Sequence, residues 1–376
     1  MSDWKRFTLT VEDSIASVIF DDTTAPVNTL GTPTIEEMVE LLRTLREMVE
    51  RKEVQAMVLV SGKPGNFLAG KDLNDDTVLS REDMLASLMQ LHRLFTDIEE
   101  LPIPTIVGVN GFCLGGGFEF ALSFQMRVAQ DTPRTRFGFP EIGLGILPGT
   151  GGTQRFPRLV GAPGVEILMS GRQLSAQEAL ALGAVDRVIP ADGDLRAECV
   201  RLARELVSGA VAVEHPTVDV QAVYDAIDRA EESVKQTRGG YLIPGERAAL
   251  QAMKEGLTLP IWEGLSLEAN LFLDVNESPE AAGSMHSYQL KQRFGRPKGK
   301  ADYGEQLQAL AQRLSAAENM VELGRTLLDS GEVEEPDLID AAAILYLGYP
   351  QEKGGPLKWE DLTGESEQAF GKKFYP

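Results

Sequence analysis

The sequence is poor in cysteine, histidine and positive charge. Its 376 residues include two cysteines, Cys113 and Cys199. Two are too few for a disulfide framework or a cysteine-based zinc site, and both suit a reducing compartment. The three histidines, His92, His215 and His286, form no ligand cluster, so no metal is expected. Lysine and arginine number 36 against 57 acidic residues, a net charge of -21. Such a chain does not track a phosphate backbone without a strong local basic patch. The most basic stretch, Lys291 to Lys300 (KQRFGRPKGK), is short, has one aromatic and reads as a solvated loop. No nucleic acid partner is expected. No apolar run reaches the ~18 residues of a membrane span. The opening MSDWKRFTLT lacks an apolar h-region and a cleavage site. These absences predict a cytoplasmic protein that does not engage membranes.

What is present is an ordinary globular composition, 43% hydrophobic, in a chain long enough for more than one folding unit. Up to about residue 190, strand and helix patterns alternate. Ser14–Phe20, Val54–Val60 and Pro104–Val109 read as strands. Pro33–Arg51 and Glu82–Glu99 carry apolar residues at helical spacing. This alternation predicts an α/β domain with mostly parallel pairing. From about Asp194 the pattern is helical: 195–206, 218–236, 245–255, 261–273, 305–328 and 336–346. Gly239-Gly240 and Arg293 to Gly299 read as breaks. The expected organisation is an α/β domain followed by an all-α extension in two parts.

Two constellations bear on chemistry. Asn110 to Phe120 (NGFCLGGGFEF) places a glycine run between an apolar strand and a helix. Such a turn is either a packing device or a donor of backbone N–H groups to a charge-bearing oxygen. It is not a dinucleotide fingerprint, because no GxGxxG follows a strand. A second loop, Asn66 to Leu73, offers further N–H groups. The other constellation is a pair of glutamates 22 residues apart. Glu119 lies in the apolar helix start FEFALSF, as a helix-terminal carboxylate or a buried functional one. Glu141 lies in the polar-poor, glycine-rich 137–152 segment, at a solvent edge or lining a cleft. Two carboxylates meeting in an apolar pocket have their pKa values pushed apart, so one serves as base and the other as acid.

Together these pieces resemble the crotonase (enoyl-CoA hydratase/isomerase) superfamily over roughly Phe7 to Pro190. The carriers are FLAGKDL at 67–73, NGFCLGGGFEFAL at 110–122, FGFPEIGLGILPGTGGTQRFPRLVG at 137–161 and SGRQLSAQEALALGAVDRVIP at 170–190. Residues 241–293, with LSLEANLFLDVNESPEAAGSMHSYQLKQR, are similar to the linker after the hydratase half of bacterial multifunctional fatty-acid oxidation α subunits. DLIDAAAILYLGYPQEKGGPLKWEDLTG at 337–364 resembles the helical C-terminal domain of 3-hydroxyacyl-CoA dehydrogenases.

The resemblance implies a crotonase-like β-β-α spiral core (1–192), a helical tail and linker (193–293) and a dehydrogenase-like helical domain (294–376). It implies an enoyl-CoA hydratase in which Glu119 and Glu141 are the acid/base pair. The Ala69 and Gly116 N–H groups would form the oxyanion hole. Leu68, Gly70, Lys71, Asp72, Gly115, Pro140 and Gly149 would line the substrate and coenzyme A site. Lys71 stands where a small residue is common. Lys63 and Lys71 are candidates to meet the coenzyme A phosphates. No cofactor is implied beyond the coenzyme A of the substrate. No nucleotide-binding βαβ unit is present, so NAD binding and dehydrogenase activity are not expected. An enoyl-CoA isomerase, a hydrolase of a 3-oxo or cyclic acyl-CoA, and a non-catalytic docking subunit remain open alternatives. So do self-association and a thiolase-type partner.

Overall fold

The computed structural model describes residues 4–70, 79–215, 217–295 and 303–375. Among the described residues ten strands form two sheets. They are β1 (Phe7–Glu12), β2 (Ile15–Phe20), β3 (Ala56–Ser61), β4 (Gly65–Leu68), β5 (Thr105–Val109), β6 (Gly111–Leu114), β7 (Met126–Gln130), β8 (Arg136–Gly138), β9 (Leu174–Ser175) and β10 (Arg187–Ile189). The larger sheet runs β1-β2-β3-β5-β7-β10 and the smaller β4-β6-β8-β9. Pairing is parallel except at β1–β2 and β8–β9. The central strands β3 (AMVLVS) and β5 (TIVGV) are buried almost throughout, as continuous apolar runs in a covered parallel sheet should be.

Sixteen α-helices complete the fold among the described residues. In chain order α1 is Thr32–Glu50, α2 Arg81–Glu99, α3 Gly116–Leu122, α4 Gly152–Val160, α5 Ala162–Ser170, α6 Ala176–Ala181, α7 Leu195–Ser208 and α8 Val220–Thr237. They continue with α9 Pro244–Gly256, α10 Ile261–Asn276, α11 Pro279–Phe294, α12 Gly304–Ala316, α13 Met320–Asp329, α14 Pro336–Leu347, α15 Pro356–Thr363 and α16 Glu365–Phe370. No helix among the described residues is long and apolar enough to cross a membrane.

The spiral arises from a repeat. A strand of the large sheet turns directly into a strand of the small sheet and then into a helix: β3-β4-α2, then β5-β6-α3. In the second repeat this leaves the start of α3 beside the small-sheet strands β6 and β4. This is the crotonase-type architecture that the motifs implied, with helices alone after β10 among the described residues. One face of the large sheet is sealed by α7, whose Leu195, Cys199, Leu202 and Ala203 pack on Ala56, Val58, Ile106 and Val128. Burial pushes the Cys199 thiol well up, so it behaves here as a small apolar group.

The chain divides into two compact units. One comprises Met1–Ile142, Pro148–Gly240 and Ala248–Leu273, and the other Gly143–Leu147, Tyr241–Arg247 and Asp274–Pro376. In the second, Leu290, Leu307, Leu310, Leu314, Leu327, Ile339 and Leu357 form a core from α11 to α15. The buried Asp340 accepts the Leu357 and Lys358 N–H groups at 2.8 and 3.0 Å and the Tyr375 hydroxyl at 2.6 Å. His286 lies 3.2 Å from that hydroxyl, and burial lowers its pKa to about 4, so it stays neutral. The pattern over 305–328 predicted one helix, whereas the chain forms α12 and α13. Asn319 ends the run by capping α13, accepting the Val321 and Glu322 N–H groups at 2.9 and 3.2 Å.

Candidate active site

Glu119 is fixed by the residues on either side of it. Phe118 packs against Phe137, Phe139 and Phe156 with ring centroids 5.1 to 5.3 Å apart. Phe120 packs against Phe95 and Phe124 at 5.4 and 5.2 Å. Such pairs add to the burial of large apolar rings, so α3 is anchored on both flanks and the Glu119 backbone cannot rotate freely. The side chain, 2% exposed, accepts three hydrogen bonds. The Thr150 N–H donates at 2.8 Å, the Thr150 hydroxyl at 2.5 Å and the Gly152 N–H at 2.7 Å. Burial raises its pKa, while these donors and Arg155 pull the other way. Three donors and no acceptor suit an ionised carboxylate.

Glu141 stands in a short 3-10 turn, Pro140–Leu144, one turn of chain after β8. Pro140 and Glu141 are half-buried. The Glu141 Oε2 is sealed from solvent and has no hydrogen-bond partner among the described residues. Burial first, then repulsion by Glu119 and by Glu268, push the Glu141 pKa well above the usual carboxylate range. Gly115 makes room for it. A Cβ there would lie 2.2 Å from Glu141 Oε1, and its φ of 54° disfavours any side chain.

The N–H groups need one correction. Gly116 N–H, at the first position of α3, has no partner among the described residues. Ala69 N–H, expected to join it, already donates to the Asn28 carbonyl at 3.1 Å. An N–H engaged inside the fold cannot polarise a substrate oxygen. Gly70 lies next in the chain and against Gly116, whose nitrogen is 3.3 Å from the place a Gly70 Cβ would take. Lys71 and Asp72 lie outside the described residues. Leu68 is fully buried at the end of β4. Gly149 is buried against Phe272, which a Cβ would approach to 2.7 Å, so its lack of a side chain already has a reason within the protein. Lys63 is not free for phosphates either. Its ammonium donates to the Asp22 and Ala25 carbonyls at 2.6 and 2.8 Å and pairs with Asp21 at 2.9 Å.

Three residues of this site were not singled out in the sequence. Asn28 is fully buried and holds the 61–69 loop. Its amide donates to the Phe20 and Phe67 carbonyls and to Ser61 Oγ, its Oδ1 accepts the Asp22 N–H, and its own N–H donates to Asn66 Oδ1. His92 is fully buried on α2, and burial followed by Arg155 lowers its pKa to about 3. Glu268, on α10, is 0% exposed. It accepts the Gly151 N–H at 2.6 Å, the Thr153 N–H at 2.9 Å and the Thr153 hydroxyl at 2.5 Å. Burial and the Glu119 charge raise its pKa to about 8. Its available signal was its place on the stripe Leu265, Glu268, Ala269, Phe272, where helical spacing otherwise puts apolar residues.

Residues 10–238 match the Enoyl-CoA hydratase/isomerase family. The fatty acid oxidation complex subunit alpha of Shewanella loihica is 35% identical over 289 residues, spanning 74% of this chain and 40% of that protein. The subunit of the same name from Idiomarina loihiensis is 33% identical over 306 residues, 78% of this chain and 41% of its own length. The chain therefore spans about two fifths of the length of these curated relatives. The crystal structure of an enoyl-CoA hydratase from Bacillus halodurans superimposes with a TM-score of 0.53 at 18% identity, covering 75% of this chain and 99% of that one, a likeness of fold. A family match across more than half of the sequence, on the fold that its motifs imply, shows that the chain belongs to the enoyl-CoA hydratase/isomerase family.

Proposed function

We propose that the chain adds water across the 2,3 double bond of an enoyl-CoA thioester to give a 3-hydroxyacyl-CoA. The observation that carries this reading is the unequal treatment of two neighbouring glutamates. Glu119 is surrounded by three donors, while Glu141 has a sealed oxygen without one. The first environment favours a carboxylate and the second a carboxylic acid, the division of labour that hydration needs. Glu119 takes a proton from water as the water oxygen bonds to C3. Electron density moves to the thioester oxygen, where the Gly116 N–H and a second N–H from the loop at Gly70 stabilise it. Glu141 then delivers its proton to C2. The proton gained by Glu119 is returned to Glu141 before the next turnover, so the sum is one water added, with no oxidant or reductant, and no nicotinamide is required. An isomerase needs one base and no water, and nothing in this site favours it over hydration.

The relatives' description as fatty acid oxidation complex subunits supports a place in acyl-CoA breakdown. The helical domain expected at 294–376 starts earlier, because Leu290 of α11 belongs to its core and the compact unit resumes at Asp274; a partner subunit is left to direct test. The activity test is the loss of the enoyl-thioester ultraviolet band when the purified chain meets crotonyl-CoA and then longer enoyl-CoAs. Hydration bleaches the band in at least one of them. An unchanged band with all of them overturns the reading.

A further inference from the structure

Glu268 lies outside the family match, on a helix that the catalytic motifs do not include. Yet it meets the same turn as Glu119. Along Thr150-Gly151-Gly152-Thr153, the first and third N–H groups point to Glu119, and the second and fourth to Glu268. Each carboxylate also takes one threonine hydroxyl, Thr150 for Glu119 and Thr153 for Glu268. The Thr153 hydroxyl is in turn oriented by the Gln154 amide at 3.0 Å. The turn opens α4 with a φ of 115° at Gly151, so its N–H groups have no helical acceptors and must be satisfied by these side chains. Neither carboxylate can move without unseating donors that the other's position depends on.

We propose that Glu268 is a positioning residue of the hydratase site, clamping the Thr150–Thr153 turn from α10 so that the turn holds Glu119 in place. This rests on the reading of Glu119 as the base for water. Glu268 never touches substrate in this role. It acts through the Gly151 and Thr153 N–H groups, and through its charge. The groups facing the turn are Glu119 on α3, Glu141 on the 3-10 turn, Arg155 and Arg158 on α4, and the neutral His92 on α2. Arg155 is already paired with Glu99 at 2.7 Å, and Arg158 donates to the Gln154, Gly256 and Leu259 carbonyls. Neither guanidinium is left wholly to the carboxylates. Three acids therefore share one site, and their titrations belong to the group rather than to single residues. Glu268 in its ionised form adds to the repulsion that keeps the proton on Glu141.

The test uses the full chain with Glu268→Gln, which keeps the shape and one acceptor but loses the charge, and Glu268→Ala, which loses the clamp. Glu268→Gln is expected to lower kcat on the order of 10- to 100-fold, as a displaced base does, with KM little changed. It is also expected to move the bell-shaped pH profile of kcat/KM toward acid by on the order of one pH unit. Glu268→Ala should lose more. Carboxyl titration of selectively labelled glutamate by NMR, in wild type and Glu268→Gln, reads the same displacement without any turnover. An inactive wild type would overturn the hydratase reading while leaving that titration to decide on Glu268. An unmoved titration and pH profile, whatever the loss in kcat, would overturn the proposal and leave Glu268 a structural residue.

Discussion

Substituting Glu141 by glutamine should move activity and stability in opposite directions. The side chain has one oxygen sealed from water without a hydrogen bond, and it faces the repulsion of Glu119 and Glu268. A glutamine cannot hand a proton to carbon, so kcat should fall by about 10²- to 10⁴-fold, equivalent to about 3–5 kcal/mol of transition-state stabilisation. KM should change little, because the amide fills the same space. The stability effect follows from linkage. The folded protein holds the Glu141 proton to higher pH than the unfolded chain does, with a free carboxyl at 4.5. Stability from this group is thus complete below that value and declines as pH rises, until Glu141 has ionised in the folded state. The neutral glutamine escapes that decline. Glu141→Gln should come close to wild type in melting temperature at pH 4 and exceed it at pH 8. A gain on the order of 1 kcal/mol corresponds to roughly 2–4 °C for a unit of this size. The assay pairs enoyl-thioester absorbance with thermal melts at the two pH values. Turnover within twofold of wild type would refute the acid role. A melting temperature lowered at both pH values would refute the picture of a strained, repelled carboxyl.

Asn28→Ala removes four side-chain hydrogen bonds from a buried hub and should cost about 2–4 kcal/mol in denaturant unfolding. It should also lower kcat by loosening the 61–69 loop. An unchanged unfolding midpoint would show that the hub is dispensable. His92→Leu addresses acid sensitivity. The folded chain protonates His92 only near pH 3, the unfolded chain at 6.5. The stability this contributes is present above pH 6.5 and is lost as pH falls toward 3, about 2 kcal/mol of it by pH 5. The leucine variant should lose less stability than wild type between pH 8 and pH 5, and parallel curves would contradict this.

Much of the large sheet and the helical half was legible, because long apolar periods survive in one sequence. The small sheet was not. Its strands have two to four residues, too few to establish an alternation, and they are fixed instead by pairing with distant partners. Glu119 and Glu141 stood out as acids in apolar surroundings. Ala69 was misjudged because a sequence does not show where an N–H is already donated, and Asn28, one of several polar residues in the 21–31 loop, gives no periodic signal. Glu268 was missed because the apolar stripe of α10 reads as packing, and an acid on it reveals its purpose only when the turn it grips comes into view.

The interleaved grip on Thr150 to Thr153 has a consequence for how such chains diverge. Segments more than 100 positions apart supply the two halves of one clasp. A lineage that exchanged Glu268 for an apolar residue would need a new acceptor for the Gly151 and Thr153 N–H groups, or a different turn. Transplanting the spiral without α10, or α10 without its turn, would hand the recipient an incomplete lock. The two segments are a single heritable part, separated only by the order in which the ribosome makes them.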